Sequence, residues 1–368
     1  MSEIKITTLK SVHIGDGNFL QQNVDFFKAL DSEGYEAIFL TDERKILDLI
    51  GVENLDNWVL SIERSENVME FMKRIVPKCQ PVDFSKRVMP LYGSMKRRDT
   101  LKTHIHDGLG RAYIPGSSLK GAIRTAVFAS LVKNVPNTEE KIINRRGVVT
   151  AEMLEGELFG SKANESCFRF LQVGDAIFEE GSEIVVRLRM GMNITTNDDL
   201  TWQNNENGVP NYDRKPQLAE VIREQEKAVC RMKIVQPQNK SLPVGMRSLP
   251  ELFETINSHT ERLLKKEIKF WEEMSQKFAG TEDYLVGLRD LLEEVNRCES
   301  GKSCVLRLGH ASGWDFITGG WAKDLNNFES RLVGKIRMNN SRYGVYPFPK
   351  SRRLDEEFEV LGFVKMSL

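Results

Sequence analysis

Segments typical of strands and segments typical of helices alternate along this chain in two similar halves. Strand-like patterns occupy residues 4–14, 168–177, 183–192 and 358–366. The longest helical pattern covers residues 249–297. Because each amphipathic element must bury one face against another element, this repeated mixture predicts a duplicated α+β unit.

A polar segment between the two halves predicts a domain boundary. Residues 195–216 are rich in Asn and Asp, and loops of this length are uncommon inside a compact domain. We expect one domain over residues 1–194 and a second over residues 195–368, with a long helical insertion at residues 249–298. Residues 217–235 are expected to begin as a helix and to end as a strand.

The charge balance argues against one class of nucleic-acid binding. Lys and Arg number 52 against 53 Asp and Glu, which gives a net charge of -1. A protein that binds DNA without sequence preference is usually basic overall. The composition is compatible with a subunit that contacts RNA along one strip and other proteins elsewhere.

A helix that begins near residue 115 has the most informative sequence. Pro115 and Gly116 form a turn. Ser117 or Ser118 is then a typical N-cap, whose hydroxyl accepts a hydrogen bond from a free amide of the first turn. Apolar residues recur at helical spacing after it and predict a buried face made of Leu119, Ala122, Ile123, Ala126 and Val127.

Two cations lie in the first turns of this helix. Lys120 and Arg124 are four residues apart and share its other face. Each is unfavourable there by roughly 0.3–1 kcal/mol, because a helix N-terminus carries partial positive charge. A bound phosphate would reverse that sign, and Gly121 leaves room for a nucleic-acid backbone. The alternative is an ordinary helix with a solvated Lys and Arg, and with Gly121 packed against a strand.

A second candidate binding segment follows a short strand near the C-terminus. Gly309 and Gly313 expose backbone amides of the kind that cradle a phosphate. Arg307 adds charge, His310 adds a contact, and Trp314 is available to stack on a base. The alternative is a turn between a strand and a helix, with Trp314 in the core.

Basic and aromatic residues are interleaved after that loop. Lys350, Arg352 and Arg353 follow three aromatic side chains within residues 343–348. This pattern is typical of a track for single-stranded RNA. The alternative is a solvated basic surface loop.

Catalytic and metal-binding patterns are sparse. His104 and His106 share one face if their segment is extended, but no further Cys or His pair stands at ligand spacing, so we predict no metal and no cofactor. His13 ends the first strand just before a turn, where the general base of an RNA-cleaving enzyme would lie. The sequence does not pair the many carboxylates. We therefore predict a binding protein, with His13 as the catalytic candidate of the alternative.

The cysteines and the N-terminus indicate the cellular compartment. The five cysteines form no C-x-x-C pair, and their odd number favours reduced thiols over a disulfide framework. The first residues lack the apolar core of a signal peptide, and no apolar stretch approaches the length that spans a membrane. We expect a cytoplasmic protein without membrane contact.

Four groups of residues match the pattern of a known family. They are residues 8–17; the I-P-G-S-S-L-K-G-A-I-R-T of residues 114–125; the L-F-G of residues 158–160 with the V-G-D-A of residues 173–176; and residues 307–313 with residues 350–354 and 361–365. Together they resemble the RAMP superfamily of CRISPR proteins, and most closely the subunits at the crRNA 3′ end of type III-A Csm effector complexes. His310 and Ala311 stand where that pattern has more glycine.

The resemblance implies a fold and a role. The fold is α+β, with two ferredoxin-like, RRM-related RAMP domains that carry helical insertions. The role is that of a non-catalytic subunit, one copy of which caps the assembly beside the backbone RAMP subunit. There it binds crRNA and supports 3′ maturation by host nucleases, as part of antiviral defence.

The resemblance also assigns residues. It implies that the crRNA backbone is contacted by Ser117, Ser118, Lys120, Gly121 and Arg124. It implies that Arg307, Gly309 and Gly313 form a second RNA-facing loop. Two alternatives stay open: a RAMP endoribonuclease that processes repeats or cleaves targets, using His13 or an Asp, and another type III RAMP subunit.

Overall fold

The computed structural model describes residues 1–143, 147–191, 217–238, 241–275, 281–317, 319–326, 328–333, 349 and 352–368. Within these ranges the strands are β1 (Ser2–Thr8), β2 (Gly15–Gln21), β3 (Phe26–Leu30), β4 (Glu36–Thr41), β5 (Ser85–Tyr92), β6 (Thr100–His104), β7 (Tyr113–Ile114), β8 (Leu171–Val173), β9 (Ala176–Ile177), β10 (Glu183–Gly191), β11 (Gln217–Ile222), β12 (Lys227–Ile234), β13 (Ser303–Arg307), β14 (Arg352–Leu354) and β15 (Phe363–Ser367).

The α-helices of the same ranges are α1 (Glu43–Ile50), α2 (Leu55–Glu63), α3 (Val68–Ile75), α4 (Gly116–Leu131), α5 (Thr138–Lys141), α6 (Glu152–Phe159), α7 (Leu249–Ser275) and α8 (Glu282–Asn296). Short 3-10 turns cover Val52–Asn54, Pro81–Phe84, Val132–Asn134, Cys167–Phe170, Trp314–Phe316 and Gly320–Asp324, and a π-helical turn covers Phe328–Val333. None of the described helices is long and apolar enough to cross a membrane.

The first sheet joins the two ends of the chain. Its strands lie in the order β13-β15-β1-β12-β9-β7, with β8 also paired to β12. Ile6 of β1 lies opposite Ala228 of β12 on one side and Met366 of β15 on the other. Ile4 and Ile6 are fully buried, as expected for alternate residues on the inner face of an antiparallel strand.

The main core lies between this sheet and helices α4 and α7. Leu119, Ile123, Ala126 and Val127 of α4 are fully buried, and Ala122 packs at the edge of the same cluster. The buried face that helical spacing predicts is therefore confirmed. Each large apolar side chain buried in this way contributes about 1.5–3 kcal/mol to folding, so the core holds α4 firmly in place.

Helix α7 covers the open edge of the first sheet. The side chain of Asn257 donates to the Ser303 carbonyl at 3.0 Å and accepts from the Val305 amide at 2.9 Å. Thr260 donates to the Val305 carbonyl at 2.7 Å. These bonds satisfy backbone groups of edge strand β13 that would otherwise offer a template for another chain.

The second sheet carries the N-terminal helical insertion. Its strands lie in the order β2-β6-β11-β10-β5-β4-β3, with β14 also paired to β10. Helices α1, α2 and α3 connect β4 to β5. The fully buried rings of Phe27, Phe39 and Phe84 stack at centroid distances of 5.4 and 5.1 Å beneath these helices.

Residues 217–235 form two strands, so the expectation that they begin as a helix is wrong. Strand β11 lies between β6 and β10 and is buried on both faces. A central strand does not show the alternation that identifies a half-buried one. Glu220 adds a charged residue to the run, and the ion pair with Arg87 in the folded protein offsets the cost of burying it.

The predicted α+β mixture is confirmed by the two sheets and the helices packed on them. Helices α7 and α8 lie within residues 249–298, where the helical insertion is predicted. Both sheets draw strands from each side of the predicted boundary at residues 194/195. That boundary does not coincide with a division between the sheets, and the domain assignment stays a prediction. The polar segment 195–216 that motivated it lies outside the described residues.

Candidate nucleic-acid interface

Helix α4 begins two or three residues earlier than predicted. Its N-cap is Pro115 and its first residue is Gly116, so Ser117 and Ser118 lie inside the first turn and neither is the N-cap. The Gly116 amide donates instead to Oδ1 of Asp175, at 2.7 Å. A carboxylate at this position satisfies a free amide and complements the helix dipole.

Close packing explains the glycine at the start of α4. A Cβ atom on Gly116 would lie 2.2 Å from the carbonyl oxygen of Val173, in the turn that precedes Asp175. No side chain fits there without moving the backbone. The family-like residues 114–125 and 173–176 are therefore in direct contact.

The outer side of the first turns of α4 is open. Ser117 and Gly121 are exposed, and a Cβ atom on Gly121 would meet nothing within 4 Å. Ser118 and Lys120 are half-buried. Burial lowers the pKa of Lys120, which has no ion-pair partner among the described residues. This side of the helix therefore offers a cation and free space together, as the phosphate hypothesis requires.

Arg124 has an internal role. Its guanidinium donates to Glu155 of α6 at 2.7 Å and lies over the rings of Phe159 and Phe168, at 4.8 and 5.4 Å from their centroids. The L-F-G segment of residues 158–160 thus packs beneath Arg124. The two predicted cations therefore differ: Arg124 pairs with Glu155, whereas Lys120 has no ion pair with any residue that the structure describes.

Arg307 lies beneath the glycine-containing loop. It is buried, and it donates to the carbonyl of Leu361 at 3.0 Å and to that of Ala311 at 3.2 Å. Its guanidinium lies 4.6 Å from the ring centroid of Phe316 and 4.8 Å from that of Phe363. Burial lowers its pKa to about 10. The prediction that Arg307 faces RNA does not agree with this position, in which it holds the loop in shape.

The loop packs against the segment that follows β1. Gly309 has a φ of 80°, and a Cβ atom there would lie 2.5 Å from the carbonyl oxygen of His13. The His310 amide donates to that same carbonyl at 2.8 Å. Ala311 has a φ of 68°, so the loop keeps a left-handed residue where the family pattern has more glycine. Gly309 and Gly313 are exposed.

The basic residues at positions 352 and 353 also differ from each other in their surroundings. Lys350 lies outside the described residues. Arg352 forms a buried ion pair with Glu267, at 2.6 and 2.9 Å, so it also has an internal role that sequence did not predict. Arg353 is half-buried and has no ion pair within the described ranges. Trp314 is partly buried and packs 5.6 Å from Phe328.

Four of the five histidines form a chain of neighbouring rings. His13 lies 5.5 Å from His310 and 6.0 Å from His104, and His104 lies 6.0 Å from His106. His104 accepts from the Ile14 amide at 3.1 Å and donates to the Tyr113 carbonyl at 3.1 Å, just before α4. This chain therefore links the glycine-containing loop to the strand that leads into α4.

His106 meets two buried carboxylates that the sequence could not pair. Its Nε2 lies 3.1 Å from Glu183 and 3.2 Å from Glu220. Burial lowers the pKa of His106, but the hydrogen bonds to Glu183 and Glu220 outweigh it and raise that pKa to about 9. Arg87 pairs with Glu220 at 2.6 Å and with Glu183 at 3.5 Å. The imidazole of His106 and the carboxylates of Glu183 and Glu220 carry ligand atoms that suit a metal ion. The guanidinium of Arg87 already supplies positive charge beside those carboxylates.

The family pattern of the RAMP superfamily matches residues 5–302. The chain belongs to the RAMP superfamily. Among curated proteins, this RAMP protein is 27% identical over 192 residues to the CRISPR system Cms protein Csm5 of Methanocaldococcus jannaschii. That match covers 49% of this chain and 43% of the relative, so the chain spans less than half of the relative's length.

Two solved structures share the fold of this RAMP protein over nearly its whole length. A chain of a Csm–crRNA–target RNA ternary complex from a type III-A CRISPR-Cas system, solved by cryo-EM, has a TM-score of 0.68 at 18% identity and covers 100% of both chains. The crystal structure of T. onnurineus Csm5 has a TM-score of 0.64 at 19% identity and covers 99% of this chain and 100% of that one. The predicted class of α+β RAMP domains with helical insertions is confirmed.

The family-like segments of this RAMP protein form two contact regions. In the first, residues 114–125 contact residues 158–160 and 173–176 around α4. In the second, residues 8–17 contact residues 307–313 at His13. The two regions are joined through His104, and each presents an exposed glycine beside a cation or an imidazole.

Proposed function

We propose that this RAMP protein is a crRNA-binding subunit of a type III-A CRISPR effector complex. Its partial identity to a Csm5 protein and its full-length likeness to a chain of a Csm–crRNA–target RNA complex support this role. The observation within the chain that carries the proposal is the open first turn of α4, where Lys120 lies beside Gly121 without an ion pair in the described part of the chain.

The proposed place of the subunit follows from the family resemblance. One copy caps the assembly at the crRNA 3′ end, next to the backbone RAMP subunit, and supports 3′ maturation by host nucleases in antiviral defence. The compartment is the cytoplasm. The five unpaired cysteines, three of them buried, fit a reducing environment.

The proposed RNA contacts use predicted residues that are exposed or half-buried. On α4 they are Ser117, Ser118, Lys120 and Gly121; in the second region they are Gly309, His310, Gly313 and Arg353, with Lys350 nearby in sequence. The other three predicted arginines have structural roles. The guanidinium of Arg124 binds Glu155, that of Arg307 binds loop carbonyls, and that of Arg352 binds Glu267.

Replacing Lys120 tests the contact at α4. Lys120→Met keeps the apolar stem and removes the charge. We expect weaker binding to single-stranded RNA of every sequence, and a salt dependence of log K that is flatter by about 0.7. Titration by fluorescence anisotropy at several salt concentrations measures both quantities. Lys73→Met, an exposed change on α3, is the matched control. An unchanged salt slope for Lys120→Met contradicts phosphate contact at this helix.

Purification of the tagged protein from its host tests the assignment itself. Short RNAs with one repeat-derived 5′ end and variable spacers should copurify with it, together with other RAMP subunits. A protein that is monomeric and free of RNA contradicts the proposal. The non-catalytic role predicts that the purified protein does not cleave RNA without a metal. RNA cleavage that is lost in His13→Ala would contradict the non-catalytic role.

A further inference from the structure

One side of the first sheet is only partly covered. Its inner side packs on α4, since Ile4 and Ile6 of β1 belong to the same buried cluster as Leu119. The alternate residues of β1 and β12 point to the other side, and most of them are exposed. We call this surface the open face, and its side chains are Lys5, Ile177, Lys227, Val229, Arg231 and Lys233.

Strand pairing places the side chains of the open face next to one another. Lys5 lies opposite Val229, and Val229 lies opposite Ile177 on the next strand. Val229 is 51% exposed and Ile177 is 40% exposed. Lys227 and Arg231 are the diagonal neighbours of Lys5, at about 7–8 Å. The open face therefore has an aliphatic centre with cations around it.

The cations of the open face lack acidic partners. No ion pair within the described ranges involves Lys5, Lys227, Arg231 or Lys233. Glu3, opposite Arg231, is the acidic residue at the outward positions of β1 and β12. Like charges on neighbouring strands repel one another, and an acidic ligand would remove that repulsion.

Helix α8 covers the neighbouring part of the same side of the sheet. Leu291 of α8 shares a buried cluster with Val305 of β13 and Phe363 of β15. Glu294, on the flank of α8, pairs with Lys365 of β15 at 3.3 Å. The fold itself therefore packs an amphipathic helix with an acidic flank onto this side of the sheet.

The layer formed by α8 ends where the open face begins. Lys365 lies opposite Thr7 of β1, which points to the same side as Lys5. Asp290 and Glu294 of α8 line a groove together with Thr7. A second helix of the same kind, placed beside α8, would continue the layer over β1, β12 and β9.

The side chains of the open face favour a protein over RNA as the occupant. Proteins that bind single-stranded RNA on a sheet stack the bases on aromatic side chains. The centre of the open face is aliphatic, and Tyr113, which lies opposite Ile177, is half-buried. An apolar centre within a polar, charged rim is the usual arrangement of a protein–protein interface.

We propose that the open face docks an amphipathic helix with acidic flanks from another protein chain. The apolar residues of that helix lie on Val229 and Ile177, and its carboxylates pair with the surrounding cations. The inference goes beyond the proposed function, because the open face is on the opposite side of the sheet from α4 and includes none of the proposed RNA contacts.

Photo-cross-linking from the open face identifies its occupant. The full-length tagged protein carries benzoylphenylalanine in place of Val229, is irradiated in its host and is purified with its assembly. Mass spectrometry then maps the adducts. We expect them on an acidic segment of another protein whose apolar residues recur at helical spacing. The same probe at Val286, which is 52% exposed on the outer side of α8, is the matched control and should not react with that segment.

Charge reversal measures the contribution of the cations. The double variant Lys5→Glu, Arg231→Glu places two carboxylates beside the acidic flanks of the docked helix. We expect the amount of the cross-linked protein that copurifies to fall about tenfold, because like charges across an interface are strongly unfavourable. Lys5→Gln, Arg231→Gln, which removes the cations without reversing them, should lower that amount less. Lys73→Glu, an exposed reversal on α3, should leave it unchanged.

The outcomes separate this inference from the proposed function. Adducts from position 229 that lie only on RNA or on a second copy of this chain overturn the inference, and so does the absence of an adduct. An amount of the cross-linked protein that is unchanged in the double variant also overturns it. The expected adduct on a protein that copurifies without RNA contradicts the proposed function alone, whereas bound RNA without the expected adduct contradicts the inference alone.

Discussion

His106 shows how a single residue depends on neighbours that are remote in sequence. Its ring lies between Glu183 and Glu220, which come from β10 and β11, while Arg87 reaches the same carboxylates from β5. Removing any one of these partners leaves a buried charge uncompensated, which is strongly unfavourable. The group therefore ties three neighbouring strands together, and it gives their pairing a dependence on pH.

That dependence is a prediction at the residue scale. The folded pKa of His106 is about 9 against an ordinary 6.5, so its protonation stabilises the fold fully below pH 6.5 and no longer does so above pH 9. We expect wild-type protein to lose about 2–3 kcal/mol of unfolding free energy across that range relative to His106→Gln. Urea denaturation at several pH values measures it.

His259 provides the matched control. Burial lowers its pKa to about 3, so it is neutral in the folded protein throughout the alkaline range. His259→Gln should leave the slope of stability between pH 7.5 and 9 as in wild type. Parallel slopes for wild type and His106→Gln would show that His106 is not protonated in the folded protein.

At the scale of an element, α4 combines packing with an open end. Its apolar face packs into the core, its first amide is capped by Asp175, and Gly116 fits against Val173. Gly121 has no such packing role, because the space beside it is empty. A glycine in a helix interior costs roughly 0.5–1 kcal/mol relative to alanine. That cost is explained if a ligand backbone approaches closely at Gly121.

Gly121→Ala should therefore change stability and binding in opposite directions. We expect an unfolding free energy higher by about 0.5–1 kcal/mol and RNA binding weaker by several-fold, because the methyl group occupies the approach to the helix. Gly156→Ala on α6, where a Cβ atom makes only ordinary contacts beyond 3.5 Å, is the control. It should not alter RNA affinity. RNA binding that is unaffected by Gly121→Ala argues against a close approach there.

At the scale of the whole molecule, a buried ion pair connects the two sheets. Glu267 belongs to α7, which packs on the first sheet, and Arg352 belongs to β14, which pairs with β10 of the second. Glu267 also accepts from Trp271 at 2.9 Å and from Tyr284 of α8 at 2.7 Å. Burial raises the pKa of Glu267, but Arg352 outweighs it and lowers that pKa to about 2.

Glu267→Ala should destabilise the protein by about 3–5 kcal/mol, because it leaves Arg352 buried without its counter-ion. Thermal and urea denaturation measure the loss. Glu272→Ala, which removes the exposed pair with Arg289, should cost below about 1 kcal/mol. Restoration of most of the lost stability in the double variant Glu267→Met, Arg352→Met would identify the unpaired charge as the cause. A loss below about 1 kcal/mol for Glu267→Ala would contradict the proposed link.

The sequence by itself determined what depends on neighbours along the chain. Helical spacing predicted the buried face of α4, strand and helix patterns predicted the α+β class, and the short motifs predicted the family. Local periodicity and local motifs carry this information because helix faces and turns are set by residues a few positions apart.

Only the tertiary structure decided which cations are free. Arg124 pairs with Glu155, which is 31 residues away, and Lys102 meets His310 across 208 residues. Spacing in sequence does not encode such contacts, so three arginines predicted to face RNA have internal partners, and the cations of the open face were not predicted. The physical reason is that a charged side chain takes its role from the partners that folding brings within a few ångströms, because charge interactions in a folded protein depend on distance and burial.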